Sequence, residues 1–240
     1  MTIDEVKNFY SKIKPRTASS RIDTLVRIYQ YNKENFSQFR EKLYFGEDSF
    51  FRAINETQKT GIWVDFGGAA VLENLSDDQL NSYEKVYLVN NDKDTVQKLE
   101  EMIAGRQLTN VETANVDILN FQPAEFCDVV SFSYSLTMTP QWYKALDYAY
   151  KLLAPQGTIG VLDFYISEKH PIQGLKTHDP MTRNFWPLFF SYDNIFLNPD
   201  HLPYLLNKFE KVKLFESEGK IPYLPVGKVP YFSFIGKKDN

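Results

Sequence analysis

The 240-residue sequence predicts an α/β protein with a doubly wound, Rossmann-like sheet, and three observations predict it. Strand-like apolar runs alternate with helical patterns along most of the chain. Those runs are nearly continuous rather than alternating, as strands buried on both faces are. The stretch Trp63-Val64-Asp65-Phe66-Gly67-Gly68-Ala69-Ala70-Val71-Leu72 carries an apolar run through two glycines into residues that favour a helix. In a strand–turn–helix of this kind the glycines accept positive φ and let a ligand approach the main chain, while the helix start offers free N–H groups. Against the pattern D-x-G-x-G-x-G, the turn keeps Asp65 and Gly67 and has Ala69 and Val71 at the second and third glycines. Val71 is β-branched and resists positive φ by about 1 to 3 kcal/mol wherever that conformation is required.

A chain of this length buries a full core as one domain. No Gly/Ser/Pro-rich or charged linker divides it, so we expect a single domain over residues 1–240, with a helical extension at 1–60, the core at 61–240 and an insert at 167–199. The net charge of −4 comes from 27 basic and 31 acidic residues in mixed order, which excludes a nucleic-acid-binding footprint. Cys127, a single cysteine in an apolar run, reads as a buried thiol in a reducing, cytoplasmic compartment. Residues 1–14 lack an apolar signal core and no run approaches the ~20 apolar residues that span a bilayer. No transmembrane segment is expected, and any membrane contact is peripheral.

The elements follow in order. Ser20-Arg21-Ile22-Asp23 has the spacing of a helix N-cap, with Ile22, Leu25, Val26 and Tyr29 behind it at helical period. A second helical pattern runs through Phe36, Phe39 and Leu43 and on from Asp48 through Phe51 and Ile54. This extension either packs on the sheet or covers the ligand cleft as a lid. Ile62–Phe66 is the first strand and Lys85–Val89 the second, ending in Asn90-Asn91-Asp92. About twenty residues past a glycine turn, a nucleotide fold places an acid on the ribose hydroxyls; this chain has Asn90 there. A helix follows from Asp94 through Ile103, then a short strand Val111–Ala114 and the run Asn115-Val116-Asp117-Ile118. An Asp after a strand is commonly a turn cap. Cys127–Tyr134 reads as a central parallel strand whose polar and aromatic tip, Ser133 to Pro140, faces the cleft outside the strand ends. The helix Trp142–Leu153, the turn Pro155-Gln156-Gly157, the strand Thr158–Ile166, the insert, a helix from Pro199-Asp200 and the strands Lys211–Glu216 and Tyr231–Lys237 complete the pattern.

Several of these stretches together resemble one family. They are the Asp-x-Gly turn, Ser133-Tyr134-Ser135-Leu136-Thr137-Met138, Leu152-Leu153-Ala154-Pro155-Gln156-Gly157, Val161-Leu162-Asp163-Phe164-Tyr165, Phe185-Trp186-Pro187, Asp200-His201-Leu202-Pro203-Tyr204 and Lys220-Ile221-Pro222-Tyr223-Leu224-Pro225. The chain is similar to the S-adenosylmethionine (SAM)-dependent N-methyltransferases that make betaine lipid by trimethylating the amino group of diacylglyceryl-homoserine. The similarity runs over residues 20–237 and includes Asn35 to Gly46. It implies a class I methyltransferase sheet, SAM as cofactor, no metal, and a lipid substrate met at the membrane surface. Family members read Gly-Gly-Gly-Thr-Gly where this chain has Gly67-Gly68-Ala69-Ala70-Val71, and Asp where it has Asn90. The departures fall on the cofactor side.

Carried over position by position, the resemblance implies a cofactor site of Asp65, Gly67, Gly68, Asn90, Asn91, Ser133, Asp117 at the adenine amino group and Ile118 on the ring. It implies a substrate side around Tyr165, Trp186, Asp193, His201 and Tyr223. The attacking amine must be neutral, so an acceptor such as His201, Tyr134, Asp163 or Asp193 takes or relays its proton; His201 leads, beside a packing role at its helix start. Tyr134, Tyr165 and Trp186 suit cation–π contact with a growing quaternary ammonium. Lys169, Lys176 and Arg183 reach anionic headgroups or line a solvated face. The alternative to a lipid N-methyltransferase is a non-catalytic methyltransferase-fold domain, a lipid- or partner-binding module or partner of a larger betaine lipid synthase.

Overall fold

The structure is a computed structural model that describes residues 45–191, 193–220 and 228–240. The helices expected after Ser20 and through Leu43, the lid reading and Tyr223 lie outside the described residues. The chain divides into two compact units, residues 1–45 with 219–229 and residues 46–218 with 230–240. The second contains β1 to β5, the body of the last two strands and every described site residue.

Its first helix, α1 (Glu47–Thr57), buries Phe50, Phe51, Ala53 and Ile54 at helical spacing and places Glu47 and Asp48 in its first turn, where the helix dipole favours acids. Then follow β1 (Ile62–Phe66), α2 (Ala69–Asn74), α3 (Asp77–Asn81), β2 (Lys85–Val89), α4 (Lys93–Gly105), β3 (Val111–Ala114) and a 3₁₀ turn at Ile118–Asn120. The second half holds β4 (Cys127–Ser133), α5 (Trp142–Leu152), β5 (Leu153–Phe164), α6 (Pro180–Ser191), α7 (His201–Lys208), β6 (Glu210–Gly219) and β7 (Val229–Lys237).

The seven strands run in the order β3-β2-β1-β4-β5-β7-β6. β1 to β5 are parallel, and β7 is antiparallel to β5. The sheet starts in the middle with β1, builds outward through β2 and β3, and returns to lay β4 on the other side of β1. The carboxyl ends of β1 and β4 therefore flank the switch point where open α/β sheets bind ligands.

Strand alternation decides which helix layer each side chain meets. Val64 and Phe66 point into a core shared with Ala145, Leu146 and Ala149 of α5 and with Leu202 and Leu205 of α7. Trp63 and Asp65 point the other way, and Trp63 packs on Phe51 of α1. On that second face α1 lies so close to β5 that a Cβ at Gly160 would stand 2.5 Å from Ile54 Cδ1, so glycine is what lets the helix seat. The fifth strand starts earlier than its sequence suggests, because Leu153 already pairs with Cys127 ahead of a register shift. It ends earlier too: Tyr165 donates to Pro230 O, and a proline has no N–H to return the bond.

Candidate active site

The turn after β1 is built on a buried acid. Asp65 is fully buried; its Oδ1 accepts the Gly68 N–H at 2.6 Å and its Oδ2 accepts the Ser131 hydroxyl. Ser131 in turn accepts the Trp63 Nε1–H at 2.7 Å. Burial pushes the Asp65 carboxyl up to about 6, against the lowering by Ser131 and Gly68. Gly67 and Gly68 take φ of 148° and 88°, and a Cβ on Gly68 would meet Leu99 Cδ1 at 2.9 Å. Ala69 and Val71, however, sit inside α2, and neither is among the non-glycine residues with positive φ. The strain expected at Val71 is absent because the left-handed part of the turn ends at Gly68. Ala69→Gly with Val71→Gly, which the glycine pattern alone suggests would tighten SAM binding, is instead expected to lower stability. The glycines cost up to about 1 kcal/mol of helix propensity where alanine is replaced and less where valine is, and the buried valine side chain is lost as well; a thermal melt and a SAM titration of the double variant check this.

Asn90 closes the turn from the second strand. Its Nδ2 donates to Gly67 O at 2.9 Å and its Oδ1 accepts the Asp92 N–H at 2.9 Å, while Gly67 N–H donates to Val89 O at 3.2 Å. An aspartate has no proton to give the Gly67 carbonyl, so asparagine here is a brace for the loop. Asn91 is exposed beside it. Past β3, Asn115 donates to Asn90 O at 3.1 Å. Asp117 is exposed, and its Oδ1 caps the 3₁₀ turn by accepting the Leu119 N–H at 3.0 Å. Ile118 packs partly buried against the core.

The fourth strand supplies the other wall. Ser133 Oγ donates to Glu47 Oε1 at 3.1 Å, and Ser135 Oγ donates to Phe66 O, tying the β4 tip to the end of β1. Tyr134 takes φ of 48°, a conformation that costs a bulky residue about 1 to 3 kcal/mol and concentrates at functional sites. Its ring lies 4.7 Å from Phe164, which stacks on Phe190 at 5.1 Å, which in turn meets Trp186 at 5.9 Å. A continuous row of aromatic rings thus leads from the strand tips into α6. Asp163 points to the opposite face and is fully buried. It accepts the Thr137 N–H and hydroxyl at 2.9 and 2.7 Å and the Phe164 N–H at 2.8 Å. Its carboxyl, raised to about 6 by burial, holds the tip loop from behind.

Tyr165 and His201 are not gathered at this crevice. Tyr165 packs on Phe232 and His178 and donates to Glu216; burial, with Glu216 adding to it, pushes its hydroxyl pKa upward. Asp193 follows α6, with its N–H on Phe190 O at 3.0 Å. His201 opens α7 on the α5 side of the sheet, away from the face Asp65 points to. It is fully buried with its ring 4.7 Å from Trp142, and neither ring nitrogen has a hydrogen-bond partner. Burial lowers its pKa to about 3, so at neutral pH it is an uncharged packing group. Sequence reasoning passed over Glu47, which is half-buried at the β4 tip. The only local signal was an acid in the first turn of a helix; its partner Ser133 lies 86 residues away.

No protein-family model matches the chain, and no curated protein matches it. Solved structures do. The N-methyltransferase NodS from Bradyrhizobium japonicum WM9, in complex with S-adenosyl-L-homocysteine (SAH), superposes with a TM-score of 0.58 at 12% identity over 89% of this chain and 99% of that one. TehB from Haemophilus influenzae gives 0.56 at 13% identity over 79% of this chain and 61% of that one. The [4+2]-cyclase SpnF gives 0.58 at 14% identity over 80% and 81%. At such identities the likeness is one of fold, and SpnF bears the name of a different reaction. With its sheet order and its glycine turn at the β1/β4 switch point, the chain has the Rossmann-like fold of the class I SAM-dependent methyltransferases.

Proposed function

We propose that the protein is a SAM-dependent methyltransferase acting on the amino group of a diacylglyceryl-homoserine-type lipid. The observation that carries the reading is the Gly67-Gly68 turn, braced on buried Asp65 and set where β1 and β4 part. The residues present fit SAM: a side-chain-free, half-buried Gly67 at the turn, a half-buried carboxylate at Glu47, and exposed polar groups at Asn91 and Asp117. Bound there, SAM supplies a methyl group activated by a sulfonium. The chain's part is to align the amine in line with that methyl and to exclude water. Of the aromatic row, Phe164, Phe190 and Trp186 are buried against one another and back the tip rather than face a ligand, which leaves Tyr134 as the ring at the tip for cation–π contact with the ammonium, worth about 0.5 to 2 kcal/mol. With the Asp163 oxygens occupied by the loop they hold, Tyr134 at the tip is the residue proposed to relay the amine proton.

A lipid acceptor is supported by the apolar side chains left open near the tips. Met138 and Phe196 are exposed, with Phe196 N–H on Thr137 O at 2.8 Å. Met181 and Leu188 are exposed on α6. Among the described residues no helix is long and apolar enough to cross a membrane; in this proposal the lipid is met at the membrane surface.

The test is to supply SAM carrying a labelled methyl to the purified protein with lipid, and to follow the label. Label in the lipid fraction is expected. Label in soluble amines alone would remove the lipid from the reading, and failure of both SAM and SAH to bind at millimolar concentration would remove the methyltransferase. A second reading, a non-catalytic module or partner of a betaine lipid synthase, is favoured by Asn90, whose amide is occupied on both sides. Binding of SAM without transfer to any amine would select it.

A further inference from the structure

We infer that Glu47 is a cofactor-site residue whose carboxylate receives the positive charge of SAM, making occupancy of the site depend on the ligand's charge and on pH. The inference rests on the reading that SAM binds at the β1/β4 switch point. Glu47 belongs to α1, outside the βα units of the sheet, and it reaches the switch point through the Ser133 hydroxyl, which donates to it at 3.1 Å. Ser133 is the last residue of β4, and its carbonyl oxygen would lie 3.2 Å from a Cβ on Gly67. The carboxylate therefore stands one residue from the glycine turn, on the sheet face to which Asp65 points.

The groups facing Glu47 make this a place for a cation. From α2 come the Glu73 carboxylate and the Asn74 side chain, which hydrogen-bonds to Glu47; from β1 comes the Asp65 carboxylate; from β4 comes the Ser133 hydroxyl. None of them is basic. Burial, with the Glu73 and Asp65 charges, pushes the Glu47 carboxyl up to about 7. A fully ionised carboxylate is thus costly in the free protein and is favoured once a positive group comes beside it. SAM carries two positive groups, the sulfonium and the α-ammonium, and SAH retains only the second.

Calorimetric titration of the parent and of Glu47→Gln with SAM and with SAH, at pH values from 6 to 8.5, tests the inference. Above pH 7.5 the glutamine variant is expected to bind SAM about tenfold or more weakly, as loss of a charge-assisted contact implies. SAM affinity of the parent should rise with pH through about 7 and level off, as the carboxyl ionises; the variant should show no such rise. A loss confined to SAM assigns the contact to the sulfonium, and an equal loss for SAH assigns it to the α-ammonium; both support the inference. Unchanged SAM affinity in a variant that melts like the parent overturns it. A parent that binds neither ligand takes down the SAM reading as well.

Discussion

Asp65→Ala is expected to abolish measurable SAM binding and to lower stability by about 2 to 4 kcal/mol. The size follows from what the carboxylate satisfies. Without it the Gly68 N–H and the Ser131 hydroxyl lose their acceptor inside the protein, and each buried orphan costs about 1 to 3 kcal/mol. The removed burial of a charge offsets part of that sum, because the Asp65 carboxyl is itself held at about 6. Asp65→Asn separates the two effects. Its oxygen still accepts from Gly68, so the turn survives with a smaller loss. The folded Asp65 binds its proton more tightly than the unfolded one, from an ordinary 3.8 to about 6. Its stabilising contribution is therefore complete below pH 4 and is lost as pH rises through about 6. The asparagine variant should lack that decline in urea melts across the same window. An alanine variant that melts within 1 kcal/mol of the parent, or that still titrates with SAM, would show that the turn does not depend on this acid.

His201→Phe is expected to keep the full methyl-transfer rate per folded molecule and to stabilise the protein increasingly as pH falls. The parent imidazole is fully buried without a partner for either nitrogen, and its pKa is lowered from 6.5 to about 3. Below pH 6.5 the unfolded chain takes up a proton that the folded chain refuses. Stability is then lost by up to about 1.4 kcal/mol per pH unit, and regained as pH rises to 6.5. Phenylalanine removes the titration and keeps a ring against Trp142. Glutamine keeps a buried polar group with no partner and should cost about 1 to 3 kcal/mol. Urea melts at pH 5 and pH 8, read beside the rate, decide the matter. A folded phenylalanine variant that has lost its rate, together with a parent rate that rises through a pKa near 6.5, would return His201 to the chemistry.

The sequence by itself determined the fold class and most of the strands. Ile62–Phe66, Lys85–Val89 and Val111–Ala114 stand where their apolar runs and flanking turns put them, because burial on both faces and glycine punctuation are written locally. Asp65, Gly67 and Gly68 were legible for the same reason: a strand ending on glycines needs only neighbours in sequence to form its turn. What each polar side chain does there was decided by residues far off in the chain. Asn90 reads as a missing ribose acid until its amide is found on Gly67 O, 23 positions away. Val71 reads as strained until α2 is seen to begin at Ala69. Which face of the sheet a side chain meets depends on strand order and register. Those are set by packing of the whole core, and they place His201 against Trp142 in the α5–α7 layer while bringing Glu47 of α1 to the tip of β4.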